Sequence, residues 1–179
     1  MLKIIIPAIE QFDEEKDEFI TSKKTELQLE HSLVSLSKWE SKWCKPFLSK
    51  EDKTIEETLD YIRCMTITQH VNPDVYRCIT NAIIIMVNAY IEHPMTATKI
   101  AQSKMNKNRE TITSEIIYYW MIALGIPFEC QKWHLNRLLT LINVCNIKNT
   151  PPKKMGRGEI LNRNRELNAA RRQALNTKG

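Results

Sequence analysis

Between Thr113 and Ile147 apolar residues recur at steps of three and four, and the recurrence breaks once, at Gly125-Ile126-Pro127. That period marks helix faces turned toward a core. A glycine two residues before a proline stops one helix and restarts the chain. The pattern predicts a helix over Thr113–Leu124, with Ile116, Ile117, Trp120, Met121 and Leu124 on one broad face. A second helix is expected over Glu129–Ile147, its stripe made by Leu135, Leu138, Leu139, Ile142 and Cys145 and widened by Leu141 and Val144. With about four residues between them, the two are expected to pack as an antiparallel hairpin. A chain built this way needs further helices to cover those faces.

Upstream residues supply them. Leu33, Leu36, Trp39, Glu40 and Trp43 fall at helical steps from Ser32 until Pro46 ends the run. Thr54-Ile-Glu-Glu57 has capping-box spacing, so Thr54 and Glu57 are expected to satisfy each other's free amides. The helix they open carries Leu59, Ile62 and Met65 and ends near Thr66. Asn72-Pro73 starts another well, since asparagine caps and proline at the first helical position loses no hydrogen bond. That helix is expected to run to about Ile91, before Pro94, and its apolar stretch Ile79–Ile91 suits a buried element. Residues 95–110 are polar, basic and weakly periodic, and read as a long loop.

The first thirty residues have a different period. Leu2–Ile6, Glu18–Thr21 and Thr25–Leu29 are short extended candidates, joined by Asp13–Asp17 and Ser22–Lys24. A β-hairpin or three-stranded meander leaning on the helices fits best, because two strands alone are marginal. At the other end Pro151-Pro152 stops any helix, and Glu159–Leu175 is helix-forming but has only a thin apolar stripe, Leu161 and Leu167 with Ala170 or Ala174. This segment is expected to be helical only in part until it meets a surface. The fold class is thus mainly α: an N-terminal hairpin or meander (1–31) packed on a compact domain of about five helices (32–150), followed by a basic helical arm (151–179).

Charge is unevenly distributed. From Lys153 onward eight basic residues face only Glu159 and Glu166, a net +6, while the whole chain is +5, so residues 1–152 sum to −1. A near-neutral domain with a cationic arm points to an acidic partner for the arm. The composition, 42% hydrophobic and 26% charged, is that of an ordinary globular chain. Ile79–Ile91 is too short for a membrane span, which needs about 20 residues, and no membrane role is expected. The five cysteines (Cys44, Cys64, Cys78, Cys130, Cys145) are scattered, form no C-x-x-C pair and accompany no signal peptide, which points to a reducing cytoplasm.

Catalytic chemistry is not written in the chain, and the reading is of a non-enzyme without cofactor. Cys130 and His134, four apart, would share one helix face, but zinc needs three or four ligands and no second pair stands at a suitable spacing. Four glycines (Gly125, Gly156, Gly158, Gly179) build neither a phosphate loop nor a dinucleotide loop. The carboxylate pairs Glu14/Glu15 and Glu56/Glu57 read as solvated. Binding residues are easier to nominate. Trp39 and Trp43 lie one turn apart and Trp133 follows the Gly125–Pro127 break; tryptophans at helical spacing serve either core or a partner groove. Arg163, Arg165, Arg171 and Arg172 suit an acidic protein surface or nucleic-acid phosphates, though the arm has no aromatic residue for base stacking.

Three segments together resemble a known family: LEHSLVSLSKWESKW (Leu29–Trp43), IIYYWMIALGIPFECQKWHLNRLL (Ile116–Leu139) and LNAARRQALNTKG (Leu167–Gly179). With the Asn72-Pro73 and Thr150-Pro-Pro152 junctions, the likeness spans most of the chain, and it is to the tail assembly chaperones of tailed bacteriophages. The resemblance implies a protein of the infected bacterial cytoplasm, absent from the mature virion, that binds the tape measure protein and keeps it soluble while tail tube subunits assemble. An oligomer is compatible with it. Size and composition fit two other classes as well: a virion structural protein such as a minor tail or connector component, and a nucleic-acid-binding accessory protein working through the arm.

Overall fold

An antiparallel ribbon opens the chain: β1 (Leu2–Ile6) pairs with β4 (Thr25–Leu29), and β2 (Ile9–Asp13) pairs with β3 (Glu18–Ser22). The pairs Leu2↔Leu29 and Ile9↔Ser22 keep one register along the ribbon, interrupted where Pro7 lacks a donor for the ladder. The ribbon is therefore a hairpin rather than a three-stranded meander, and β2 is a strand that the sequence pattern missed. The structure is a computed structural model that describes residues 1–13, 18–98, 111–151 and 156–177. It divides into two compact units, Met1–Ile147 and Lys148–Gly179. Most of the loop expected over residues 95–110 lies outside the described residues.

Alternation decides which face of the ribbon is used. Ile4 and Ile6 of β1 and Leu27 and Leu29 of β4 are buried, while Lys3, Ile5 and Glu26 face out. The buried four share a core with Trp39, Tyr61, Ile62, Met65, Val75, Tyr76, Val87 and Tyr90. The free edge of β4 is covered by the chain leaving α2, through Ile67 N–H to the Gln28 carbonyl (2.8 Å) and Glu30 N–H to the Met65 carbonyl (2.9 Å).

The helices are α1 (Leu33–Trp43), α2 (Ile55–Met65), α3 (Asn81–Glu92), α4 (Ser114–Ala123), α5 (Leu135–Asn149) and α6 (Arg157–Leu175). The expected capping box opens α2: Thr54 Oγ1 accepts from Glu57 N–H (3.1 Å) while Glu57 Oε2 accepts from Thr54 N–H (2.8 Å). Ser32 and Ser35 do the same for α1. Gly125, at φ +64°, turns the chain out of α4, and Ile126 N–H returns to the Met121 carbonyl (2.8 Å). A second core forms from Leu33 and Leu36 of α1, Ile117 and Met121 of α4, and Leu135, Leu138 and Ile142 of α5, with Ile126 and Cys130 between.

Two expected helices are broken. Asn72 caps and Pro73 leads as expected, but Pro73–Cys78 is a 3₁₀ turn, and extended Ile79 and Thr80 separate it from α3. Such turns rarely extend further, and the β-branched pair favours the extended form. The helix expected over Glu129–Ile147 is a 3₁₀ turn, Phe128–Lys132, followed by extended Trp133 and then α5. Here tertiary pairing overrides local propensity: Ser32 and His134 form an antiparallel bridge, and Leu135 N–H donates to the His31 carbonyl (2.7 Å). The expected α4–α5 hairpin is also not the main packing, because α4 lies chiefly against α1.

In the second unit, α6 starts two residues earlier than expected, with Glu159 reaching back to Gly156 N–H (3.1 Å). It is helical throughout Arg157–Leu175 rather than in part, and every one of its residues is exposed.

Candidate partner-binding surfaces

The charged and polar side chains inside the first unit hold the fold. Glu40, 7% exposed, accepts from Phe47 N–H (2.8 Å) with one oxygen and from Ser114 N–H (2.7 Å) with the other, tying the loop after α1 to the start of α4. Glu57 is buried rather than solvated, and hydrogen bonds from Lys45 and from Thr54 N–H hold its carboxyl below the usual range. Burial would raise the Asp60 carboxyl, but hydrogen bonds from Lys42 and the Trp43 indole outweigh it and leave its pKa lowered.

Between the two cores, His31 Nδ1 lies 2.5 Å from the Tyr61 hydroxyl, and the His31 and His134 rings meet edge to face at 5.1 Å. Burial, reinforced by His134, pushes the His31 pKa down to about 3. Burial also lowers that of His134, whose Nε2 contacts the Tyr90 carbonyl at 3.1 Å. His134 is thus an internal residue, just before α5 begins. Cys130, also buried, sits in the 3₁₀ turn and shares no helix face with it. Among the described residues no three His, Cys, Asp or Glu side chains are grouped to hold a metal.

The tryptophans do not form one groove. Trp39 is 1% exposed, stacks on Trp43 (6.1 Å between centroids) and donates its indole N–H to the Glu57 carbonyl (2.9 Å), so it is core and drops out of the partner-facing set. Trp43 is half-buried, its indole N–H bonded to Asp60. Trp133 packs against the second core instead, with the Arg137 guanidinium over its ring at 4.1 Å. These two line a groove of about 470 Å³ with Met95, Thr140, Leu141 and Val144. Arg163, Arg165, Arg171 and Arg172 stand exposed on α6, in the other unit.

Apolar surface appears where the sequence suggested core. On α3 only Ile83, Val87 and Tyr90 are buried, while Ala82, Ile85, Met86 and Ala89 form an exposed stripe at helical spacing, with Ile85 69% and Met86 51% exposed. On α4, Ile117 and Met121 are buried and Ile116, Trp120 and Leu124 half-buried, while Tyr119 and Ile122 are exposed. Hydropathy alone could not reveal this, since both sides of each helix are apolar. Chemically these two faces can bury apolar side chains, and the groove beside Trp133 adds the Arg137 cation.

No helix among the described residues is long and apolar enough to cross a membrane. No family model, curated protein or solved structure matches the chain.

Proposed function

We propose that this chain is a tail assembly chaperone of a tailed bacteriophage, which binds tape measure protein and keeps it soluble during tail assembly. The observation that carries the reading is the pair of exposed apolar faces, Ala82/Ile85/Met86/Ala89 on α3 and Tyr119/Ile122 on α4. A folded chain that leaves such stripes open on well-formed helices has surface suited to another amphipathic helix, and a long helical client supplies many. Apolar burial at about 25 cal/mol per Å² would supply most of the affinity. Exposed ion pairs give only about 0–1 kcal/mol each, so the arm mainly speeds capture. The segments Leu29–Trp43, Ile116–Leu139 and Leu167–Gly179, which resemble that family, support the same reading.

On this reading the protein acts without catalysis, in the cytoplasm of the infected host, and leaves before the particle is complete. Co-expression with tape measure protein, followed by pull-down and mass spectrometry of purified virions, tests it. Tape measure is expected in the pull-down, and this chain is expected to be missing from virions. Its presence in virions at stoichiometric levels would make it a structural protein. Retention of nucleic acid instead of tape measure would make it an accessory protein acting through the arm.

A further inference from the structure

The groove beside Trp133 has a chemistry of its own. Its floor is one face of α5: Arg137, Leu141 and Val144 are spaced by four and three residues, about 10 Å along the helix at 1.5 Å per residue. Its other wall is the chain from Met95 to Thr98. That wall is anchored where it leaves α3, since the Asn136 side-chain amide donates to the carbonyls of Ile91 and His93, both at 2.9 Å. At about 470 Å³ the groove falls within the size range of preformed ligand sites.

Among the described residues Arg137 is the one charged residue lining it. Its guanidinium carbon lies 4.1 Å over the Trp133 ring, and a guanidinium packed on an aromatic face keeps its forked N–H donors able to meet a carboxylate. An exposed flat cation beside Leu141, Val144 and Met95 suits a carboxylate with apolar groups beside it. Arg137, Leu141 and Val144 are spread along one face of α5, so a helical client would meet them with side chains three and four residues apart.

We infer that this groove binds an amphipathic helix of the partner, seating an Asp or Glu side chain on Arg137 and apolar side chains against Leu141, Val144 and Met95. The inference deepens the chaperone reading and rests on it for the helical nature of the client. It assigns the recognition of acidic residues to the folded domain, apart from the basic arm.

The test uses the full chain and two fluorescein-labelled helical peptides of Leu and Ala, acetylated and amidated. One carries Glu at two positions four apart on its apolar margin, and the other carries Gln there. By fluorescence anisotropy the Glu peptide should bind wild type about two- to fivefold more tightly than the Gln peptide, the discrimination that a contact to an exposed guanidinium gives. Arg137→Gln should abolish that preference, and Leu141→Ser should weaken both peptides, with thermal melts confirming that each variant folds. Equal binding of the two peptides to wild type, an unchanged preference in Arg137→Gln, or no binding of either peptide would overturn the inference. Discrimination by Arg137 without capture of tape measure would leave the groove standing and remove the chaperone reading. Capture of tape measure with no effect of Arg137 would do the reverse.

Discussion

The imidazole of His31 meets that of His134 edge to face, 5.1 Å between centroids, where the chain crosses from the ribbon core to the helical core. Tyr61 and Tyr90 close the pair from α2 and α3, and burial raises the pKa of both phenols, so neither supplies a charge. Glu30, bonded to the Tyr90 hydroxyl, and His93 act on His134 from outside the pair.

Acid should therefore loosen this junction before it affects the buried carboxylates. In the unfolded chain a histidine titrates near 6.5, whereas folded His31 titrates at about 3. Between those values the unfolded chain binds a proton that the folded chain does not, so stability falls as pH drops, by about 1.4 kcal/mol per pH unit for one such histidine. Glu57 and Asp60, with lowered pKa values, contribute stability that is lost only below their ordinary range near pH 4. Urea unfolding at pH 7, 6 and 5 should show a declining midpoint, and His31→Leu should flatten that decline. A wild-type midpoint that does not move between pH 7 and 5 would contradict a neutral buried His31.

Glu40 should be more important to stability than its charge suggests. Removing its carboxylate leaves the Phe47 and Ser114 amides without their partner, at about 1–3 kcal/mol each when buried. Glu40→Ala is expected to cost roughly 2–4 kcal/mol on that basis, and Glu40→Gln roughly half as much because one acceptor oxygen remains. The readout is the urea midpoint at constant slope. A loss below about 0.5 kcal/mol, the level of an ordinary surface substitution, would mean that solvent reaches these amides.

What could be read from the sequence divides along the range of the forces. The Thr54/Glu57 box, the Asn72-Pro73 start and the Gly125 stop were legible because each is settled within a few residues. The breaks at Ile79–Thr80 and Trp133–His134 ran against helical periodicity, and the second is imposed by pairing with Ser32, far away in the chain. Glu40 was placed on a core stripe by spacing, but its partner Ser114 lies 74 residues on and leaves no local mark. Trp133 was nominated as a binding residue, yet Arg137, which stacks on it, carried no signal apart from its position four residues later.

The two central tryptophans should differ in cost. Periodicity put Trp120 on the core face, but it is only half-buried, whereas Trp39 is 1% exposed and packs edge to face on Phe47 at 5.1 Å. Trp39→Ala is expected to cost about 3–5 kcal/mol, the range for a large buried aromatic, and Trp120→Ala about 1–2 kcal/mol. Thermal melts of the two variants side by side decide it. The reverse order would place Trp120, not Trp39, at the centre of the packing.

The arm should affect the kinetics of client capture and leave the domain's stability alone. Its arginines are exposed on α6, and the unit that holds it begins at Lys148, after the last core residue, Ile142. Truncation after Pro152 should therefore leave the melting temperature of the first unit nearly unchanged, and a large loss of cooperativity would show that α6 supports the core. With the full chain, replacing Arg163, Arg165, Arg171 and Arg172 by Gln removes charge and keeps helix-forming side chains. Under the proposed chaperone role, the quadruple variant should capture tape measure protein more slowly and with a flatter dependence on salt. Its residual binding should survive at high salt, because apolar contacts on the first unit are screened little. Stopped-flow association at low and high ionic strength separates the cases. Complete loss of binding at every salt concentration would make the arm the principal contact, and an unchanged rate at low salt would remove it from capture altogether.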